Sequence, residues 1–208
     1  MDVFWDVVWL VSGLAVGWLL YWCSGFLPQR LGKVLPAARA GGWRTAVLPG
    51  AVAGLTAVFC LYFGPRQQWL ALVVYAFFLL IALIDARYRL VLNVLVYPAL
   101  VLVLGYQVVM GEQPLTAVLL GGGLAFSTFA LAAWLRPGDL GGGDVKLAAL
   151  IGLLFGFPGV LWPLLVGVVA GGLAAGFLLL RGYGRRHHIP YAPFLCLGVF
   201  IAILYTPF

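Results

Sequence analysis

Eight apolar runs, most of them near bilayer thickness, follow one another with only short polar gaps, and this pattern leaves few folds open to the chain. The runs cover about Phe4–Cys23, Ala46–Phe63, Trp69–Ile84, Val91–Met110, Leu115–Leu135, Val145–Phe155, Val160–Leu180 and Tyr191–Tyr205. A membrane-crossing helix needs roughly 20 apolar residues, and in hydrocarbon a helix satisfies its own backbone polar groups. The expected fold is therefore all-α, a polytopic membrane helix bundle of about eight hydrophobic segments. Composition agrees: 9% of residues are charged, against about a quarter in soluble domains, so water is not the main solvent for this chain.

One segment is short. Gly156-Phe157-Pro158-Gly159 breaks a long apolar stretch, because Gly and Pro together punctuate helices. The piece before it, Val145–Phe155, spans only about 17 Å at 1.5 Å per residue. It is expected to be a re-entrant or half-buried helix packed among the others. No repeat or low-complexity tract appears. The expectation is one membrane-embedded domain over 1–208, with 24–45 as a cytoplasmic loop too short for its own core.

Charge sets the orientation. Of the 12 Lys and Arg, only Arg66 falls in an even-numbered gap, and the other eleven fall in alternate gaps on one side. Positive residues mark the cytoplasmic side, which puts both termini outside. The net charge of +6 thus reads as membrane anchoring, not nucleic-acid binding. Asp2 and Asp6 stand where a signal peptide carries positive charge, so the first run reads as a retained span. The eight Trp read as interface anchors and packing groups. Cys23, Cys60 and Cys196 lie in separate apolar runs and form no CxxC pair. They indicate neither a zinc site nor a disulfide framework.

The chain has six acids. Asp2, Asp6 and Glu112 fall on the outer side. Asp85, Asp139 and Asp144 fall on the cytoplasmic side. Asp85 follows an apolar run and Asp144 precedes one, so both are expected at the same membrane edge, where acids are costly and often functional. Two carboxylates at one depth can share a proton. One then draws a proton from water while the other donates a hydrogen bond to a peptide carbonyl, and this chemistry needs no metal or cofactor. Around Asp144 the chain reads Gly141-Gly142-Gly143-Asp144-Val145-Lys146. The glycines allow a substrate strand to approach closely, and the helix N-terminus favours the carboxylate. Capping of that helix by Asp144 is an equally open reading. Asp139, in Pro137-Gly138-Asp139, reads as a turn residue. Lys146 is open between pairing with a carboxylate or phosphate and positive-inside anchoring. His187 and His188 read as solvated loop residues beside Arg185 and Arg186.

The run Gly141–Leu147 resembles the GxGDxK(L) motif of type IV prepilin peptidases, membrane aspartyl proteases of the GxGD group. Asp85, with Asn93 eight residues on, is similar to the family's first catalytic Asp and its trailing Pro-Asp/Asn. Ile189-Pro190-Tyr191-Ala192-Pro193-Phe194 resembles the C-terminal IPxxPF signature. Gly13–Pro28 is a looser match to the first helix. Two features depart from the family pattern. Leu92 stands where the family often has Pro, and the first gap carries no cysteine-paired insert, so the chain resembles the short forms.

The resemblance implies a membrane aspartyl endopeptidase of the cytoplasmic (inner) membrane. It would remove the basic leader of pilin-like precursors at the cytoplasmic face, with the lipid bilayer and the precursor as partners. Asp85 and Asp144 would be catalytic, with Gly141, Gly143, Lys146, Asn93, Pro190 and Pro193 in supporting places. No cofactor is implied, and methyl transfer, associated with the larger forms, is expected to be weak or absent. The alternative is a transporter or assembly scaffold whose acids pass ions or protons.

The charge bias makes a direct prediction. Reporters fused at Gly41, Arg89, Pro137 and Gly184 read cytoplasmic, and those at Pro65, Glu112 and Phe208 read external. An external signal at Pro137 overturns the orientation.

Overall fold

The computed structural model describes residues 2–31, 43–66, 68–135, 140–181 and 190–205. Among them it is all-helical. Eight helices run in order: α1 (Asp2–Arg30), α2 (Trp43–Phe63), α3 (Trp69–Tyr88), α4 (Asn93–Val109), α5 (Leu115–Leu135), α6 (Gly142–Phe155), α7 (Leu161–Leu180) and α8 (Ala192–Tyr205). Four are long and apolar enough to cross a membrane, over Phe4–Arg30, Trp69–Tyr88, Leu115–Leu135 and Leu161–Leu180. Large apolar side chains stand open on them and their neighbours; Leu102 is 71% and Leu173 70% exposed. Apolar surface of that extent needs lipid or protein against it. The chain is a membrane helix bundle.

Helix boundaries moved most where polar residues were read as breaks. The first span was expected to end at Cys23, yet α1 continues through Ser24 and Pro28 to Arg30. Ser24 is accommodated within the helix, its hydroxyl donating to the Tyr21 carbonyl at 2.7 Å. The sixth segment was expected to start at Val145, yet α6 starts at Gly142. It is still short, about 21 Å for its 14 residues. Of the expected loop at 24–45, residues 32–42 lie outside the described residues, as do Asp139, His187 and His188.

The residues divide into two compact units, 1–88 with 203–208, and 89–202. In the first, α1 packs on α2 and α3. Gly17 lets the backbones meet: a Cβ there would lie 2.6 Å from the Ala53 Cα. Thr56 beside it donates to the Val52 carbonyl at 2.8 Å and lies 3.4 Å from the Tyr75 hydroxyl. The Phe59 ring stacks on Tyr75 at 4.0 Å. Here a small-residue approach joins a satisfied polar pair, as membrane interfaces require.

In the second unit α6 is covered by α5 and α4. Gly121 and Gly152 bring α5 and α6 together, and a Cβ on Gly152 would lie 2.7 Å from the Gly122 Cα. The last turn of α6 leaves carbonyls without helical partners. The buried Gln107 of α4 donates to two of them, Leu153 at 3.2 Å and Leu154 at 2.9 Å. The Phe157 N–H then donates to the Ala117 carbonyl at 2.8 Å, tying the Gly-Pro turn to α5. A short helix ending within a bundle is thus supplied with side-chain and loop partners.

Gly152→Val should destabilise the protein by about 1–3 kcal/mol through overpacking. Gly123→Ala, where nothing lies within 4 Å, should be neutral or slightly stabilising. Unfolding in detergent compares them, and equal stability of the two variants refutes the close-approach account.

Candidate active site

Asp85 belongs to the first unit. It sits in the last turn of α3, on the face that also buries Ile81 and Ile84, and is 5% exposed. The sequence reading put it after the apolar run. In fact α3 continues past it to Tyr88, so its carboxyl is packed inside a helix end. Arg89 then terminates the helix with φ at 52°, a left-handed conformation. A non-glycine residue there costs about 1–2 kcal/mol, so a tight stop follows directly on the Asp85 turn.

Asp144 belongs to the second unit. It was expected just ahead of a helix, with N-capping as the open alternative. The structure gives Gly141 the N-cap place and Asp144 the third helical position. The Asp144 N–H donates to the Gly141 carbonyl at 3.0 Å. Its Oδ2 accepts from the Gly141 N–H at 3.2 Å. A glycine has no side chain to return the contact, so this is one half of a capping box. That bond is why α6 begins earlier than its apolar run. The carboxyl is buried, at 9% exposure, where the helix dipole favours negative charge.

Several predicted supporting residues gather at this same helix end. Lys146 donates to Asn93 Oδ1 at 3.1 Å and lies 4.8 Å from the centre of the Tyr97 ring. Its partner is thus an amide on α4, not one of the groups weighed from sequence. Gly143 faces Val91, and a Cβ on it would lie 2.6 Å from the Val91 Cβ. Any larger residue at 143 would push α6 off the entry to α4. Leu92 is buried, caps α4 and holds φ at −76°. That angle lies within the range a proline ring imposes, so leucine in the expected proline place leaves the backbone geometry unchanged.

Pro190 and Pro193 flank the start of α8 and are half-buried. Tyr191 between them was not singled out from sequence. Burial, and after it the Asp144 carboxylate, pushes its hydroxyl up from the ordinary value. It therefore remains a neutral O–H donor in the Asp144 environment. Its position between two prolines was the available signal. Among the described residues no group of three or more His, Cys, Asp or Glu could hold a metal ion.

Residues 72–179, which include both aspartates, match the family model of type IV leader peptidases. The chain belongs to the type IV leader peptidase family. A curated relative, the prepilin leader peptidase/N-methyltransferase of Bacillus subtilis (strain 168), is 28% identical over 136 residues. That stretch is 65% of this chain and 55% of the relative, so the match spans about half of that protein's length. No solved structure matches the chain. The family match contains Asp85, Asn93, Gly141, Gly143, Asp144 and Lys146; Pro190 and Pro193 lie beyond it.

The Lys146–Asn93 bond gives the protein a testable strut. Lys146→Met and Asn93→Ala should each cost about 1–3 kcal/mol, the range for a hydrogen bond to a charged group. The double variant should cost little more than either single one, because they remove the same interaction. A double-mutant cycle by unfolding in detergent checks this, and additive losses refute the pairing.

Proposed function

We propose that this chain is a membrane aspartyl endopeptidase that cleaves the basic leader from pilin-like precursors at the cytoplasmic face of the inner membrane, with Asp85 and Asp144 as its catalytic pair. The observation that carries the reading is Asp144. It is a buried carboxylate in the first turn of a short helix, held by the Gly141 N–H and surrounded by residues of the family-matching segment. Burying an acid beside lipid is costly, and capping a helix does not require it, since exposed caps serve as well.

The backbone suggests how the two acids divide the work. Asp144 lies at a helix N-terminus, where the dipole favours the anion; Asp85 lies in a last helical turn, where it opposes the anion. Asp144 is accordingly the base and Asp85 the protonated acid. The Asp144 carboxylate takes a proton from water as the water oxygen adds to the scissile carbonyl carbon. Asp85 gives its proton to the carbonyl oxygen, forming a gem-diol. Collapse of the gem-diol passes a proton to the amide nitrogen and breaks the C–N bond.

The relative's name couples the peptidase to an N-methyltransferase. Here the first polar gap is short and carries no cysteine, so the activity proposed is cleavage alone.

Asp85→Asn and Asp144→Asn should each lower cleavage of a co-expressed pilin-like precursor by roughly 10²–10⁴-fold, the usual contribution of a general acid or base. Membrane insertion should be unaffected, and Asp139→Asn should be far milder. Chelators should leave the rate unchanged, and product mass with S-adenosylmethionine present should show no added methyl group. Near wild-type cleavage by either of the first two variants refutes the two-aspartate mechanism. Retained assembly of precursors without any cleavage by the wild type would favour a scaffold.

A further inference from the structure

Trp18, Tyr21, Trp22, Gly25, Phe26 and Gln29 recur along α1 at helical spacing and form one stripe. With Arg87 of α3 they line an open cavity of about 380 Å³. The residues lining the cavity all belong to the first unit. Its aromatic walls face outward: Trp18 is 60% and Trp22 52% exposed. Trp22 stacks on Phe26 at 5.0 Å, and the Arg30 guanidinium lies 5.0 Å from the centre of the Phe26 ring. One end of the groove is therefore aromatic and apolar, and the other is cationic.

Arg87 is the unusual member. Its Nη1 donates to the Tyr21 carbonyl at 3.1 Å, and its guanidinium sits 3.8 Å from the centre of the Tyr21 ring. Both contacts leave its positive charge in place. Its Nη2 is shielded and has no hydrogen-bond partner among the described residues. Gly25 makes room for this side chain, since a Cβ there would lie 3.2 Å from Nη1. A shielded cation at the edge of an apolar layer is costly without an anion, and a guanidinium suits a phosphate in particular.

We propose that this groove binds an anionic phospholipid, with Arg87 as the counter-charge to its phosphate and the Trp18 and Trp22 rings flanking the start of an acyl chain. Three observations choose this occupant. Tryptophan and arginine share one end of α1, as they do at a membrane interface. The open aromatic walls suit a chain already in the bilayer. A basic leader peptide would meet the like charges of Arg87 and Arg30. The inference rests on the membrane reading of the chain and not on peptidase chemistry, so its failure leaves the proposed cleavage untouched.

The test uses the full chain in detergent, with native mass spectrometry and lipid titration. The probes are phosphatidylglycerol, phosphatidylcholine with the same acyl chains, and inorganic phosphate. Phosphatidylglycerol should bind about tenfold more tightly than phosphatidylcholine, the scale of one charge-assisted contact. Arg87→Gln should abolish that preference, while Arg66→Gln, which removes a cation outside the groove, should keep it. Gly25→Leu fills the groove without removing the charge and should weaken both lipids. It also keeps the proposal falsifiable if Arg87→Gln does not fold. Equal binding of the two lipids by the wild type overturns the proposal, as does unchanged phosphatidylglycerol binding by Gly25→Leu. Competition by inorganic phosphate as effective as that by phosphatidylglycerol overturns the lipid assignment in favour of a free-anion site.

Discussion

Helix backbones that approach more closely than a side chain would permit hold α1 to α2 and α5 to α6. Lipid tails are as apolar as leucine, so burial gives two helices little reason to associate in a bilayer. Close dispersion contact and hydrogen bonds must supply that reason instead. Gly121 and Gly152 bring α5 against α6, and Gly17 brings α1 against α2. The placement of Asp144 depends on the first of these contacts. Helix α6 is short, and it is fixed along its length by α5, at its end by Gln107 and at its start by the Lys146–Asn93 bond.

The same medium explains where polar side chains go. Several polar groups in the packed layers return to backbone carbonyls. Ser24 and Thr56 donate to carbonyls of their own helices, whereas Gln107 donates to another helix. An unmade bond costs more in such surroundings than a made bond contributes. Arg87 stands apart, because a carbonyl and a ring occupy it without cancelling its charge.

Capping and catalysis are not rival explanations of Asp144. Its carboxylate lets α6 begin at Gly142 by accepting from Gly141. The same bond holds the carboxylate at the positive end of the helix dipole, a useful place for a general base. Substitution there therefore perturbs the helix start as well as any chemistry. An isosteric asparagine is the informative change, because its amide oxygen can still accept the Gly141 N–H.

The sequence by itself determined the all-helical membrane fold, the number of apolar segments and the shortness of the sixth. Hydropathy and Gly-Pro breaks act locally, and the bilayer admits no other solution for such runs. It also marked Asp85 and Asp144 as candidates and carried the family motifs. Only the tertiary structure decided what the polar residues touch. Lys146 meets Asn93, 53 positions away in sequence. Tyr191 comes into the field of Asp144, and Gln107 supplies the end of α6. Helix ends at Arg30 and Gly142 escaped the reading for a related reason. Ser24 and Asp144 look like breaks by composition, yet Ser24 is accommodated by donating to the Tyr21 carbonyl and Asp144 accepts from the Gly141 N–H at the start of α6. The Lys146 and Gln107 bonds join residues that no local period relates, so they exist only once the helices have packed.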